Sequence, residues 1–184
     1  YYADHWDVQE LAILDGYHAI EIFNALADRL LDLLQRTSPD LYNESHQSAF
    51  ATDLWDELLT QGKRVWGVVG DDFLDMLFRT PGDAWVMVKC DGQTQEQVLK
   101  ALKRGSFYCS TGIRFQEISA KGNSIQVALD RGADIRFIGA GGEVLQQSFG
   151  LSATYRKKGN ETYVRVEAQD TDDLMAWSQP FFAK

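Results

Sequence analysis

The spacing of apolar residues changes its period close to residue 112, and this change constrains the fold more than any other feature. Before it, runs of strand length alternate with helical patterns; after it, apolar and polar residues alternate one by one. The later strands are separated by turn signals at intervals of about 8–12 residues, which is typical of an antiparallel sandwich. We therefore expect two domains, 1–111 and 112–184, the second an all-β sandwich.

The first part of the chain has the pattern of an α/β unit. Its apolar runs of strand length alternate with amphipathic helical segments, and they lie at 19–23, 64–69, 84–88 and 107–109. Strands and helices that alternate at this spacing predict parallel strands joined by helical crossovers. The expected architecture is a partial, open βα-barrel-like layer.

The whole net charge of −9 lies in this first part. Residues 1–111 contain 9 Lys and Arg against 18 Asp and Glu, whereas residues 112–184 contain 9 of each kind. We do not expect binding to a nucleic-acid backbone, because that affinity comes from clustered basic side chains. The acidic excess fits either solvated helix faces or a cation site.

Cysteine content and apolar runs indicate the compartment. No apolar run approaches the roughly 18 residues of a membrane span, and no leader-like segment opens the sequence. Cys90 and Cys109 are too few for a disulfide framework or a CxxC zinc site. We expect a cytoplasmic protein without a membrane partner, its thiols free and buried, with a redox pair as the alternative.

Asp71 and Asp72 are the strongest local candidates for a site. They follow a predicted buried strand, and chemistry in parallel sheets collects at the carboxyl ends of strands. Paired carboxylates suit divalent cations that prefer oxygen ligands, or acid–base work. The alternative is structural, because Asp72 could cap a helix that starts near Phe73.

Other motifs favour structural interpretations. His5, His18 and His46 are scattered, and no HxH, HExxH or GxSxG motif is present. The glycine-rich run at 139–142 precedes a strand-like segment rather than a helix, which favours a hairpin turn over a phosphate-binding loop.

Several segments, taken in order, resemble the PHP family (polymerase and histidinol phosphatase) of metal-dependent phosphoesterases. They are WDELLTQGKRVWGV at 55–68 leading into Asp71-Asp72, PGDAWVMV at 81–88, VLKALKRGSFYCSTG at 98–112 and AWSQP at 176–180. The last segment is similar to the end of the sandwich that follows the PHP barrel in some members. The resemblance covers nearly the whole chain.

The resemblance implies two or three divalent metals, such as Mn, Zn or Fe, at the carboxyl end of a distorted βα barrel. Metal-bound water or hydroxide would attack a phosphate ester. Asp72 matches the Asp of the family's late Asp-x-His motif, but Leu74 occupies the His position. The family's His-Pro-x-Trp segment aligns with Ala3 at the His position, unless a gap puts His5 in that role.

The expected function is therefore that of a PHP-type homologue with an incomplete metal site, inactive by itself. Should a site form, its ligands would be Asp72, with His5 and Asp71 in support. The segments that would hold the early HxH and DH motifs are absent from this sequence, so we expect exposed strand edges to be covered by helices or by a second copy in a homodimer. The alternative is a non-catalytic binding or assembly module that uses the sandwich to contact a protein or glycan.

Overall fold

The computed structural model describes residues 7–45, 48–73 and 81–183. These residues form five α-helices and ten strands. The helices are α1 (Val8–Ile13), α2 (Ala25–Thr37), α3 (Pro39–Ser45), α4 (Thr52–Thr60) and α5 (Gln95–Lys103). The strands are β1 (Ala19–Asn24), β2 (Trp66–Gly70), β3 (Trp85–Val88), β4 (Phe107–Ser110), β5 (Phe115–Lys121), β6 (Ser124–Ile138), β7 (Val144–Arg156), β8 (Tyr163–Gln169), β9 (Met175–Ser178) and β10 (Phe181–Phe182). Within these ranges, no helix has the length and apolar character needed to cross a membrane.

β1 and β2 form a small parallel sheet. Asn24 lies beside Gly70 at its carboxyl end, and α2, α3 and α4 connect the two strands. The Asn24 side chain also caps α2, because its Oδ1 accepts a hydrogen bond from the Ala27 amide at 2.8 Å. The predicted parallel pair with a helical connection is confirmed for these two strands.

The other eight strands form one antiparallel sheet, which overturns the predicted fold class. Its order is β3-β4-β9-β8-β6-β5, with β7 also on β6 and β10 also on β8. Strands account for 41% of the described residues and helices for 27%, and the sheet curls into half a barrel. The expected α/β layer with an open βα-barrel-like sheet, followed by a sandwich, is therefore wrong.

The direction of β3 and β4 explains the first part of this error. They run antiparallel, with Trp85 opposite Ser110 and Val88 opposite Phe107, although α5 lies between them in the chain. A short apolar run has the same hydrophobic pattern in either direction, so the sequence pattern did not distinguish the two. The other edge of β4 pairs with β9, where Cys109 lies opposite Trp177. The second neighbour of β4 in the sheet is thus a strand from much later in the chain.

A long bent strand explains why the predicted sandwich is also wrong. The Asp-Arg-Gly segment at 130–132 is one of the turn signals on which the sandwich prediction relied, but it lies inside β6, which is 15 residues long. Its register against β7 shifts between Ala128 and Ala133. Such an irregularity bends a strand without ending it, so the alternating segments coil within one sheet instead of facing each other across two. The turn predicted at 139–142 is confirmed as the hairpin between β6 and β7.

The hydrophobic core has two parts. One part lies inside the curled large sheet and includes Ile125, Ile135 and Phe137, all fully buried. The other part surrounds the small parallel sheet, yet it also contains Tyr163 and Trp177 from the large sheet. β3 and β4 precede residue 112 and belong to the same sheet as later strands. The division into domains 1–111 and 112–184 stays a prediction.

Polar contacts join the two sheets at what we call the seam. The Gly67 amide of β2 donates to Gln179 Oε1 at 3.0 Å, and its carbonyl accepts from Gln179 Nε2 at 2.8 Å. The Cys109 thiol donates to the same carbonyl at 3.2 Å. The Gln179 side chain therefore pairs with β2 as a neighbouring strand would, which satisfies buried backbone groups.

A buried ionic network, which we call the seam network, lies beside this contact. Arg165 on β8 donates to Asp56 on α4 through Nε (2.8 Å) and Nη2 (2.6 Å), a bidentate pair. Arg165 Nη1 also donates to Glu167 at 3.1 Å. The Tyr163 hydroxyl and the Trp177 indole N–H donate to the carboxylates of Asp56 and Glu167, respectively. Buried charges are thus paired and hydrogen-bonded, as their desolvation requires.

Candidate functional site

The carboxyl ends of β1 and β2 gather four polar residues. Glu21 and Asn24 come from β1, and Asp71 and Asp72 follow the last residue of β2. Asp71 and Asp72 therefore lie at the strand end where the sequence predicted them. We call Glu21, Asn24 and Asp72 the carboxyl-edge cluster.

Asn24 holds the two carboxylates of this cluster together. Its Nδ2 donates to Glu21 Oε2 at 3.1 Å and to Asp72 Oδ2 at 3.2 Å. Asn24 is 8% exposed, and its Oδ1 is engaged by the cap of α2. The amide is therefore fixed by helix capping, so it offers donors, not an oxygen ligand, to its acidic neighbours.

The ionisation of Glu21 reflects this setting. Desolvation raises the pKa of Glu21, the hydrogen bond from Asn24 lowers it, and the charge of Asp72 raises it again. The net direction is upward, although the side chain keeps solvent access. Glu21 Oε1 also lies against Gly70, where an added Cβ would come within 2.6 Å of it. A glycine at position 70 thus leaves room for the Glu21 carboxylate.

Asp71 has a different set of partners. Its carboxylate accepts hydrogen bonds from the amides of Gly82 (2.7 Å), Asp83 (2.7 Å) and Ala84 (2.9 Å). These contacts tie the end of β2 to the segment that enters β3. The carboxylate that the sequence placed beside Asp72 as a supporting ligand therefore has a structural role in the turn.

His18, the histidine candidate that lies within the described residues, does not reach this cluster. His18 is exposed and precedes β1, so it lies at the amino end of the strand, opposite Asn24. His5, His46 and Leu74 lie outside the described residues. Asp72 has a left-handed backbone, with φ of 47°, whereas an N-cap residue is typically extended. The helix that it was suggested to cap also falls outside the described residues.

The described residues do not fit the metal set that the PHP resemblance implies. Among residues 7–45, 48–73 and 81–183, no group of three or more His, Cys, Asp or Glu side chains is placed to hold a metal ion. Glu21 and Asp72 supply two carboxylates, and Asp71 is engaged by three backbone amides. This arrangement is short of the ligand count that divalent ions take in proteins.

Sequence reasoning missed Glu21 and Asn24. The strand over 19–23 was recognised, and Asn24 ends it as Gly70 ends β2. The carboxyl-end argument used for Asp71 and Asp72 would have found Asn24 as well. Glu21 gave a weaker signal, because a charged residue inside a strand usually indicates only an exposed face.

A cleft of about 720 Å³ lies between α2 and the large sheet. Its aromatic wall is formed by Phe50, which is 40% exposed, with the buried rings of Phe23 and Trp177 behind it. The Phe50 ring centroid lies 4.9 Å from that of Phe23 and 6.4 Å from that of Trp177. A cleft of this size and aromatic character has the dimensions of a small-molecule site.

The rim of the cleft is acidic. Its carboxylates come from three separate elements: Asp28 and Asp32 on α2, Asp83 before β3, and Asp172 and Asp173 in the turn between β8 and β9. Arg29 also lines the cleft, and its guanidinium contacts Asp83 at 2.6 Å. Five Asp and one Arg give the lining a formal charge of −4.

Comparisons with models of known protein families, with curated proteins and with solved structures found no match.

Proposed function

We propose that this chain is a relative of the PHP phosphoesterases that holds an incomplete metal site and does not hydrolyse phosphate esters by itself. The observation that supports it is the pairing of Glu21 and Asp72 through Asn24 at the carboxyl end of two parallel strands. This is the edge of the sheet where the resemblance puts its metals. Two carboxylates there attract a cation, but two side chains cannot replace a full ligand set.

Metal content tests the first half of this proposal. The purified protein is loaded with Mn²⁺, Zn²⁺ or Fe²⁺, desalted and measured by plasma mass spectrometry. We expect less than about a tenth of an ion per chain, because a two-carboxylate site exchanges its ion quickly. One or more retained ions per chain that are lost in Asp72→Asn would contradict the proposal of an incomplete site.

Turnover tests the second half. Phosphomonoester and phosphodiester hydrolysis is measured with added Mn²⁺ for the wild type, for the double variant Glu21→Gln with Asp72→Asn, and for Asp15→Asn. Asp15 is a matched control, since it is exposed and lies outside the cluster. We expect no Mn²⁺-dependent rate that distinguishes the three proteins. A rate that disappears only in the double variant would show a working site and a phosphate ester substrate.

A second candidate function is ligand binding in the cleft. The observation that favours it is the cleft itself, which combines an exposed aromatic ring with carboxylates from three elements. It differs from the notion of a binding face on a sandwich, because it lies where α2 meets the large sheet. The corresponding test compares ligand binding and the unfolding temperature of a Phe50 variant with those of the wild type. We expect the variant to lose binding and to keep its unfolding temperature.

Self-association and location follow as lesser proposals. Leu30, Leu33 and Leu41 are between 45% and 58% exposed on α2 and α3, which favours cover by a second copy in a homodimer. Light scattering behind gel filtration decides this directly. The free thiols of Cys90 and Cys109 favour the cytoplasm, which a fluorescent fusion can test.

A further inference from the structure

We infer that the cleft binds a small organic polycation, a compound of the diamine or polyamine class. This inference rests on the binding function proposed for the cleft and is independent of the relation to phosphoesterases. It is carried by the cavity, by its aromatic wall and by the charge of its rim.

The aromatic wall provides the first part of the recognition. Phe50 is 40% exposed, and Phe23 and Trp177 stack behind it with their ring centroids 5.7 Å apart. The exposed ring therefore has a rigid backing and loses little freedom when a ligand covers it. Aromatic faces attract ammonium groups electrostatically and also accept the methylene groups between them.

The rim provides the second part. Asp28 and Asp32 lie on α2, whereas Asp172 and Asp173 lie in the turn between β8 and β9. Carboxylates from different elements thus share the cleft with the aromatic wall, and Asp32 is also paired with Arg36 at 2.9 Å. A ligand with two or more ammonium groups separated by methylenes matches this combination of negative charge and apolar surface. A single metal ion would leave the aromatic wall without a role.

Arg29 decides the sign of the ligand charge. Among the described residues that line the cleft it is the one cation, and it is paired with Asp83 at 2.6 Å. An anionic ligand would need a positive group to meet it, yet this pairing neutralises Arg29, and the lining keeps a formal charge of −4, or −3 when Arg36 beside Asp32 is included. The cleft therefore favours cations over phosphate esters.

Isothermal titration of the intact chain with spermidine tests the inference at low salt. We expect saturable binding that weakens as salt rises, because the carboxylates are near the surface. A matched pair of probes separates charge from apolar contact: 1,6-diaminohexane should bind, and 1,6-hexanediol, with the same methylene chain, should not. Equal binding of both probes, or none of either amine, would overturn the inference.

Variants locate the binding. The double variant Asp172→Asn with Asp173→Asn should lower the affinity for spermidine about threefold to tenfold, and Phe50→Leu should lower it about twofold to fivefold. The control, Asp15→Asn with Asp91→Asn, removes the same charge from exposed residues outside the cleft lining and should change the affinity less than twofold. Equal losses in both double variants would show only general attraction to an acidic protein and would overturn the assigned site.

Arg29→Gln tests whether the cleft prefers a positive or a negative ligand. Removing this positive charge should raise the affinity for spermidine by about twofold to threefold. Tripolyphosphate serves as the anionic probe in a parallel titration. One outcome would keep the binding site but show that the cation class is wrong. In that outcome tripolyphosphate binds, its binding weakens in Arg29→Gln and in Phe50→Leu, and spermidine does not bind. If no probe binds, the inference fails together with the binding function, while the phosphoesterase tests stand unaffected.

Discussion

The two sheets of this protein are stabilised in different ways. The large sheet has long strands and a core within its own curl, formed by residues such as Ile125, Ile135 and Phe137. The parallel sheet has two strands and shares its core with helices and with Tyr163 and Trp177 of its neighbour. Two strands alone are marginal in water. The candidate site on the parallel sheet therefore depends on the seam for its stability.

The largest effect is expected from breaking the seam network. Asp56→Asn leaves Arg165 buried without its bidentate carboxylate, and removal of one partner of a buried pair costs about 3–5 kcal/mol. Chemical denaturation measures this loss. Glu57→Gln, an exposed neighbour on α4, is the control and should change stability by less than about 0.5 kcal/mol.

The same variant also tests the difference between the sheets. Hydrogen exchange in Asp56→Asn should accelerate first at the amides of β1 and β2, because Asp56 lies on α4, whose buried Trp55 and Leu58 belong to the core around the parallel sheet. Uniform acceleration across both sheets would show that they unfold as one unit and would contradict the proposed dependence.

A smaller loss is expected from a methyl group added at Gly67. Its Cβ would lie 2.9 Å from both Ile22 Cδ1 and a Trp55 ring carbon, closer than packed atoms approach. Gly67→Ala should therefore cost about 1–3 kcal/mol through overpacking. Gly150→Ala in β7 is the matched control, since its Cβ would meet only the Ser152 backbone at 3.8 Å or more. Equal losses in the two variants, measured by denaturation, would argue against tight packing around Gly67.

Local structure was largely predictable from the sequence, whereas the arrangement of strands was not. The capping box of Thr94 and Gln97, for example, depends only on two residue types three positions apart. The strands over 19–23 and 84–88 were also found from apolar runs. Strand direction depends on partners far along the chain, such as β9 against β4, and no local pattern encodes it.

The candidate site was predictable only in part. Asp71 and Asp72 were found because they end a strand, but their roles differ through contacts that spacing does not specify. Asp71 meets the amides of residues 82–84, while Asp72 meets Asn24 from another strand. The cleft was not foreseen at all, because its walls come from α2, the residues near Phe50 and the turn after β8.

Acid should destabilise the large sheet through protonation of one carboxylate, that of Glu161. Burial opposes ionisation of Glu161, but hydrogen bonds from Tyr155 and from the amides of Lys158, Glu161 and Gly159 lower its pKa to about 2. A lowered folded-state pKa contributes stability above the unfolded value of 4.5 that is lost as pH falls toward 2. Glu161→Gln should cost roughly 1 kcal/mol at pH 7 and flatten the loss between these pH values. An unchanged acid profile in thermal melts would contradict this role.

The smallest effect is expected where the large sheet exposes an apolar side chain. Phe149 on β7 is 71% exposed, and its ring lies about 3.6 Å from the position of a Cβ at Gly132. Phe149→Ser should change stability by less than about 0.5 kcal/mol at low protein concentration. Thermal melts over a hundredfold range of concentration check this, since stabilisation by a second copy makes the melting temperature depend on concentration. A concentration dependence that the serine variant abolishes would put the homodimer contact on β7 and leave the helices of the parallel sheet exposed, which reverses the expectation drawn from α2 and α3.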